Sequence, residues 1–271
     1  KSEQLMAEHQ RKSRELEAAR QIQLAMLPHQ LPAHPKIDLF ASMKMATEIG
    51  GDYYDFYLED DTLTFAIGDA TGHGAQAGVM VTAIKLIFSN YAAHQDIVEF
   101  LARASHSLKR MGLPRLYMAL AIGRFKGNTL EIAGTGLPPG LIFRSRTATV
   151  DEIPLKGVPL GGYGGGLYHR HTMILAPGDT LILMTDGFPE LFNDNGEELG
   201  YDKAREIFRE VAQRSPGDII DRFNDIAVSW MNRQPQKDDM TFLALKMKEQ
   251  KSMQYSAISN LEKEVYQCLH Q

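Results

Sequence analysis

Cysteine is almost missing from this chain of 271 residues, where Cys268 stands alone. A single thiol rules out an intrachain disulfide and any cysteine-built zinc cluster, and it fits a reducing compartment. Long hydrophobic runs are missing as well. No apolar stretch approaches the roughly 18 residues of a spanning helix, Lys85 interrupts the longest candidate, and no signal peptide is visible. Charge of one sign is not in large excess. The 29 Lys+Arg against 34 Asp+Glu give a formal net charge of -5, so neither nucleic acid nor an anionic membrane is expected as the main partner. The chain also has no G-x-S-x-G elbow, no H-E-x-x-H pair and no Walker A loop, which removes the usual signs of serine-hydrolase, zincin and P-loop chemistry.

What is present is an ordinary globular composition, 44% hydrophobic and 23% charged, sufficient for a sizeable core in one or two domains. The first residue is lysine. The chain therefore reads as a piece of a longer protein with an upstream sensor ahead of it. It also reads as cytoplasmic, alone or as the cytoplasmic part of a membrane-anchored protein.

Residues 1–27 contain no Gly or Pro and are rich in helix formers. Pro28, Pro32 and Pro35 end that helix. Leu16, Ala19, Gln23 and Met26 keep a heptad-like spacing that His9 and Lys12 spoil upstream. A coiled coil and a solvated helix docked on its own domain both remain open. Strands are expected at 37–46, 53–58 and 63–68, the last two joined by Glu59-Asp60-Asp61. A helix follows the glycines at 72–74, with Val79, Met80, Ala83, Ile84, Ile87 and Tyr91 as its apolar stripe. Asp96 reads as the N-cap of a second helix that buries Val98, Leu101 and Leu108.

Further strands are expected at 117–125 and 129–133 across the turn Lys126-Gly127-Asn128, then at 140–143, 147–153, 168–175 and 180–184. Helices near 203–213 and 216–231 follow, the second opened by Ser215-Pro216, and 240–247 is a last strand. Clustered strands and helices argue for an α+β fold with two packed antiparallel sheets flanked by helices, against a doubly wound sheet. The segment 256–270, with Ile258, Leu261, Val265 and Leu269 on one face, is a further helical candidate. The expected division is a helical linker over 1–30, a main domain over 31–248 and a helical extension over 249–271.

Four acidic phrases stand at the ends of apolar runs: Gly50-Gly51-Asp52, Gly68-Asp69-Ala70-Thr71-Gly72-His73-Gly74, Thr185-Asp186-Gly187 and Lys237-Asp238-Asp239-Met240-Thr241. One Asp before Gly is most often a turn residue. Together the four suggest something else. Asp69 and Asp186 close strands apolar enough to be central, a charge there needs a partner, and no Lys or Arg sits beside either in sequence. Oxygen-only ligands suit Mg²⁺ or Mn²⁺. Two such ions about 4 Å apart can hold and acidify a bridging water and neutralise a phosphoryl group.

These phrases, with Ala18-Ala19-Arg20-Gln21-Ile22-Gln23 and Leu27-Pro28 before them and Pro177-Gly178-Asp179-Thr180 between them, resemble the bacterial SpoIIE/RsbU-type phosphatases. Those belong to the PPM metal-dependent Ser/Thr protein phosphatases. The resemblance covers about residues 16–247. It implies an αββα sandwich with two Mn²⁺ or Mg²⁺ ions between the sheets. Asp69 would bridge both ions, the backbone carbonyl of Ala70 would complete one shell, and Asp52, Asp186 and Asp238 would be the other ligands. Asp239 is the alternative to Asp238, or a supporting residue behind it. The implied activity is hydrolysis of phosphoserine or phosphothreonine on a protein by a metal-activated water. The implied substrate is a phosphorylated STAS-domain anti-sigma-factor antagonist in a partner-switching circuit, with a homodimer formed through the N-terminal helix. Two departures stand out. Where the family often carries Asn-Ala-Gly-His-Pro-Pro, this chain has Ala133-Gly134-Thr135 and lacks the histidine. The stretch Met45-Ala46-Thr47-Glu48-Ile49 also lacks the phosphate-binding arginine of eukaryotic relatives.

Several residues carry competing readings. His73 is a candidate general acid, though a role at the helix start or in support of the ligands competes. Asp55 could support a metal-held water or simply face solvent. The glycine run 161–166 is an ordinary hairpin loop in preference to a flap, and Trp230 reads as a buried helix residue. Two other functions compete with the phosphatase: a two-metal phosphodiesterase, and an inactive scaffold that binds a phosphoprotein.

Overall fold

The computed structural model describes residues 2–162 and 167–249. The element order is α1 (Ser2–Met26), β1 (Ile37–Lys44), β2 (Asp52–Glu59), β3 (Thr62–Ala70), α2 (Ala75–Tyr91), α3 (Ile97–Arg110), β4 (Met118–Lys126), β5 (Thr129–Thr135), β6 (Gly140–Arg144), β7 (Thr149–Ile153), β8 (Arg170–Ile174), β9 (Thr180–Met184), α4 (Tyr201–Val211), α5 (Pro216–Met231) and β10 (Met240–Met247). One five-stranded sheet has the order β1-β10-β9-β6-β7 and the other β2-β3-β4-β5-β8. Every pairing is antiparallel. The expected αββα sandwich is therefore the fold, and the strands and helices fall close to where periodicity puts them.

Side-chain alternation decides what each strand offers to each face. Leu63, Phe65 and Ile67 of β3, Leu181 and Leu183 of β9, and Leu243 and Leu245 of β10 meet between the sheets. Residues of opposite parity, such as Ala66, Ile182 and Phe242, meet the helices outside. Helices α2 and α3 cover the second sheet through Met80, Ile84, Phe88, Phe100 and Leu101. Helices α4 and α5 cover the first through Phe208 and Phe223, with Phe188 and Phe242 stacked edge to face beneath. Local signals fix the helix starts. Asp96 caps α3 by accepting from the amides of Val98 and Glu99 at 2.9 and 3.3 Å, and Ser215 caps α5 with Pro216 as its first residue.

Three expectations are corrected. The buried stripe of α2 is Ala77, Met80, Val81, Ile84, Ile87 and Phe88, while Val79 and Tyr91 are 47% and 38% exposed. The helix is apolar on nearly every side, so periodicity alone could not choose the face that meets the sheet. Asp55 neither faces solvent nor lies among the acidic phrases. Three residues from Asp52, it points to the opposite, helix-covered face. There its carboxylate accepts from Tyr53 Oη and from Lys85 Nζ of α2, both at 2.7 Å, with a side chain only 5% exposed. Trp230 is half-buried rather than buried, with its indole N–H donating to the Leu191 carbonyl at 3.2 Å and Lys203 over its ring.

Helix α1 is one continuous element whose residues 10–18 are exposed. It meets the body near its C-terminal end, through buried Gln23 and Leu27 and half-buried Leu24. No helix among the described residues is long and apolar enough to cross a membrane. The segment 256–270, Cys268 and most of the glycine run at 161–166 lie outside the described residues.

Candidate active site

Strand parity explains why distant carboxylates share one end of the sandwich. Asp52 opens β2 and Asp69 closes β3, and they are direct partners across that antiparallel pair. Asp69 shares the inter-sheet parity of Leu63, Phe65 and Ile67. From the other sheet, Thr185 follows β9 in the parity of Leu181 and Leu183, and Thr241 opens β10 in the parity of Leu243. Both hydroxyls donate to the same oxygen, Asp52 Oδ2, at 2.9 and 2.5 Å. Asp52 is 2% exposed, and its Oδ1 receives no hydrogen bond among the described residues. Asp186 begins the turn after Thr185, and Asp238 precedes β10 at the open rim.

Backbone approach at this end is close enough to require glycine at two positions. A Cβ on Gly51 would lie 2.7 Å from the Ala70 carbonyl oxygen, 3.0 Å from that of Gly72 and 3.1 Å from Asp69 Oδ1. Three oxygens thus surround a space that any larger residue would fill. A Cβ on Gly187 would lie 1.9 Å from the Asp239 carbonyl oxygen, so only glycine lets the Asp186 turn rest against the Asp238 loop.

Asp239, the alternative ligand, is otherwise engaged. Its Oδ1 accepts from the Ala46 amide at 2.7 Å, and its Oδ2 accepts from Gly51 and Asp52 amides at 2.8 and 3.4 Å. It acts as a clamp that holds the 50–52 loop against the other sheet. Asp238 is the exposed member of the pair.

The charges strain against one another. Burial pushes the Asp69 carboxyl up to about 8, reinforced by repulsion from Asp186, Asp238, Asp239 and Glu190. Burial, then repulsion from Asp69, raises Asp52 well above the usual carboxylate range, against the two threonine hydrogen bonds. Asp186 and Asp238 are raised too, each chiefly by burial, while nearby His73 pulls Asp238 back down. His73 is exposed on the turn before α2. Among the described residues none of the four forms an ion pair with Lys or Arg; the carboxylates that do, such as Asp55 and Asp179, lie elsewhere.

A hard divalent cation fits this donor set. The groups are all oxygens, the side chains are carboxylates without a Lys or Arg partner among the described residues, and the Gly51 cradle gathers a carboxylate with two carbonyls. Among the described residues no three His, Cys, Asp or Glu groups stand at metal-ligand spacing, so ion binding here would require side-chain rotation within the cluster. Gln236 Nε2 ties the Lys44 and Asp238 carbonyls together at 2.7 Å each. Its Oε1 is the one buried side-chain polar atom left without a partner among the described residues.

Three contributors escape sequence reasoning. Thr185 and Thr241 look like ordinary strand residues, although both stand inside the acidic phrases. Gln23 reads as one of the heptad-like positions of α1, with no local sign of a partner in the body, yet its amide is buried. Nε2 donates to the Gly50 carbonyl at 2.7 Å and Oε1 accepts from the Gly50 amide at 3.0 Å. Thr135, at the position after Ala133-Gly134, is buried and donates to the Val158 carbonyl at 2.9 Å.

Comparison with known proteins agrees with this fold. The family model of Stage II sporulation protein E (SpoIIE) matches residues 59–248. The phosphoserine phosphatase RsbU of Bacillus subtilis is 24% identical over 243 residues, covering 86% of this chain and 70% of that protein. Among solved structures, the SiaA-PP2C domain of Pseudomonas aeruginosa superimposes with a TM-score of 0.76 at 22% identity, over 89% of this chain and 98% of the other. RsbX in complex with magnesium gives 0.63 at 18% identity, over 80% and 98%. At these identities the structural likenesses speak for the fold.

The raised Asp69 sets a pH dependence. Its folded value of about 8 exceeds the unfolded 3.8, so its contribution to stability is complete below the lower value and is lost as pH climbs through the higher one. In EDTA, Asp69→Asn is expected to melt at a higher temperature than wild type at about pH 8, with the gap closing toward about pH 4. Thermal unfolding across that range checks this, and an Asn variant less stable than wild type at the alkaline end contradicts it.

Proposed function

We propose a function that starts from one fact: the chain belongs to the SpoIIE family, the RsbU-type bacterial branch of the PPM (PP2C-type) phosphatases. Within that family we read it as a phosphoprotein phosphatase that cleaves phosphoserine or phosphothreonine. The observation that carries this reading is the opposition of Asp52 and Asp69 on one antiparallel rung, with Asp186 and Asp238 close enough to repel Asp69.

Asp52, Asp69, Asp186, Asp238 and the Ala70 carbonyl would hold two Mn²⁺ or Mg²⁺ ions. When bound, such ions supply neutralisation of the phosphoryl oxygens and a lowered pKa for water. In the net reaction a water oxygen joins phosphorus and the bond from phosphorus to the serine or threonine oxygen breaks. The hydroxyl leaves with a proton, and inorganic phosphate is released. No side chain of the chain is phosphorylated on the way. Thr185 and Thr241 keep one oxygen of Asp52 occupied and so fix how the other is presented. Asp239 keeps the 50–52 loop in place. His73, exposed beside Asp238 at the mouth, and solvent are the two proton sources for the departing oxygen. No arginine stands in 45–49 to grip the phosphate.

The partner suited to this family is a phosphorylated STAS-domain protein of a partner-switching circuit. We place the catalytic unit at 31–248 and treat α1 as a linker from an upstream sensor, with paired α1 helices forming a dimer. Support for control through α1 comes from the Gln23 amide, which grips both the backbone N–H and the carbonyl of Gly50, two residues from Asp52.

Two outcomes are expected. Wild type should hydrolyse p-nitrophenyl phosphate and a phosphoserine peptide only with Mn²⁺ or Mg²⁺ and leave a nucleic-acid phosphodiester intact, while Asp69→Asn should lose roughly 10²-fold or more with its fold retained. Full cation-dependent turnover in that variant contradicts the ligand assignment. Gln23→Ala should weaken Mn²⁺ binding in calorimetry about tenfold through loss of two buried hydrogen bonds without unfolding the body. Unchanged affinity contradicts control through this contact.

A further inference from the structure

We propose that the apolar notch at the N-terminal end of α2 is a docking site for an apolar side chain of the phosphoprotein substrate, close to its phosphorylated residue. The proposal rests on the phosphatase reading above and adds the kind of flanking residue the enzyme selects. The notch holds about 240 Å³ and is walled by Ala75, Gln76, Val79, Leu113, Pro114 and Leu116. Val79 and Leu113 are 47% and 38% exposed. They are its large apolar side chains that the fold leaves uncovered; Ala75, Gln76 and Pro114 beside them are exposed as well, and Leu116 is half-buried.

Hydrogen bonds tie the notch to the carboxylates. Thr71, two residues after Asp69, donates its amide and its hydroxyl to the Tyr117 carbonyl at 2.9 and 3.1 Å, and the Tyr117 amide returns a bond to Thr71 Oγ1 at 3.2 Å. Leu116, one wall of the notch, is the residue just before Tyr117. Gly74 donates its amide to the Ile49 carbonyl at 3.0 Å, and Ala75, the opposite wall, follows it. Both walls are therefore pinned to the segments that carry Asp52 and Asp69. A specific protein interface covers about 800 Å² on each partner, a disc of roughly 16 Å radius. A folded phosphoprotein that delivers its phosphate to the carboxylates covers the notch as well.

A larger apolar groove between α1 and α2, about 850 Å³, shares Ala75 and Val79 with the notch. It runs away from the carboxylates toward Tyr91, about 24 Å along the helix at 1.5 Å per residue. The end it shares with the notch, at Ala75 and Val79, is the end near the carboxylates; Gln23 and Ile49, which also line the groove there, are themselves buried. Burial of one leucine-sized side chain at that end is large enough to set a preference of about tenfold or more.

The test uses short phosphoserine peptides in a glycine-serine background, each with a single leucine stepped one position at a time along either flank. For wild type with Mn²⁺, leucine at one position or two adjacent positions is expected to lower KM about tenfold with kcat unchanged. The preference should vanish in Val79→Ser and in Leu113→Ser and return in Leu113→Met. Turnover of p-nitrophenyl phosphate, which does not reach the notch, should stay the same in all of them and so reports intact folding. Intact turnover with no leucine preference in wild type, or a preference that survives both serine variants, overturns the notch alone. Absence of Mn²⁺-dependent turnover of p-nitrophenyl phosphate in wild type overturns the phosphatase reading and the notch with it.

Discussion

Asp52 and Asp69 face one another across a single antiparallel rung at the end of the sandwich, and much of the surrounding structure follows from keeping two like charges there. Burial makes each costly to ionise; Asp69 adds to the cost at Asp52, and Asp186 and Asp238 add to it at Asp69. Bringing such groups together takes a rigid frame. Strand alternation supplies it: the side chains that continue inward-facing apolar rows, Leu63-Phe65-Ile67 and Leu181-Leu183, are followed at the sheet ends by Asp69 and Thr185 in the same parity. The hydrophobic layer between the sheets thus positions the polar cluster at its edge. The glycines at 51 and 187 let two chain segments approach closely enough to complete it.

The carboxylates were legible in sequence because four of them end or begin apolar runs, and turn chemistry, which explains any one of them, does not explain all four together. The sandwich was legible too, since the elements cluster and their periods are clean. What was not legible depends on partners distant in sequence. Gln23 meets Gly50 across 27 residues, and Lys85 meets Asp55 across 30; neither pairing leaves a local trace. For Asp55 the spacing held a clue, because an offset of three from Asp52 places it on the other face of the strand. The stripe of α2 could not be read, because the helix offers apolar residues to the sheet, to the α1 groove and to the notch at once. The choice between Asp238 and Asp239 was settled in sequence only by resemblance. The hydrogen bonds give it a physical basis: Asp239 is occupied by three backbone amides.

Two kinds of surface border the cluster. On one side, the Gln23 amide links the exposed helix α1 to the loop before Asp52; under the proposed control a force on the helix would reach the site through these two hydrogen bonds and no long pathway. On the other, the turn from Asp69 to Gly74 is clasped to Tyr117 and opens on uncovered carbon at Val79 and Leu113. Input and recognition would then act on adjacent segments of one rim. That arrangement suits a phosphatase whose chemistry is generic, and whose selectivity depends on what is allowed to approach.

The central claim is that carboxylates from both sheets share divalent cations at this end of the molecule. Anomalous scattering from crystals soaked in Mn²⁺ measures it most directly. The account predicts anomalous peaks bounded by Asp52, Asp69, Asp186 and Asp238, with the Ala70 carbonyl in contact with one ion. Peaks elsewhere, or no peak in crystals of a protein that turns over phosphoserine without added cation, would contradict it.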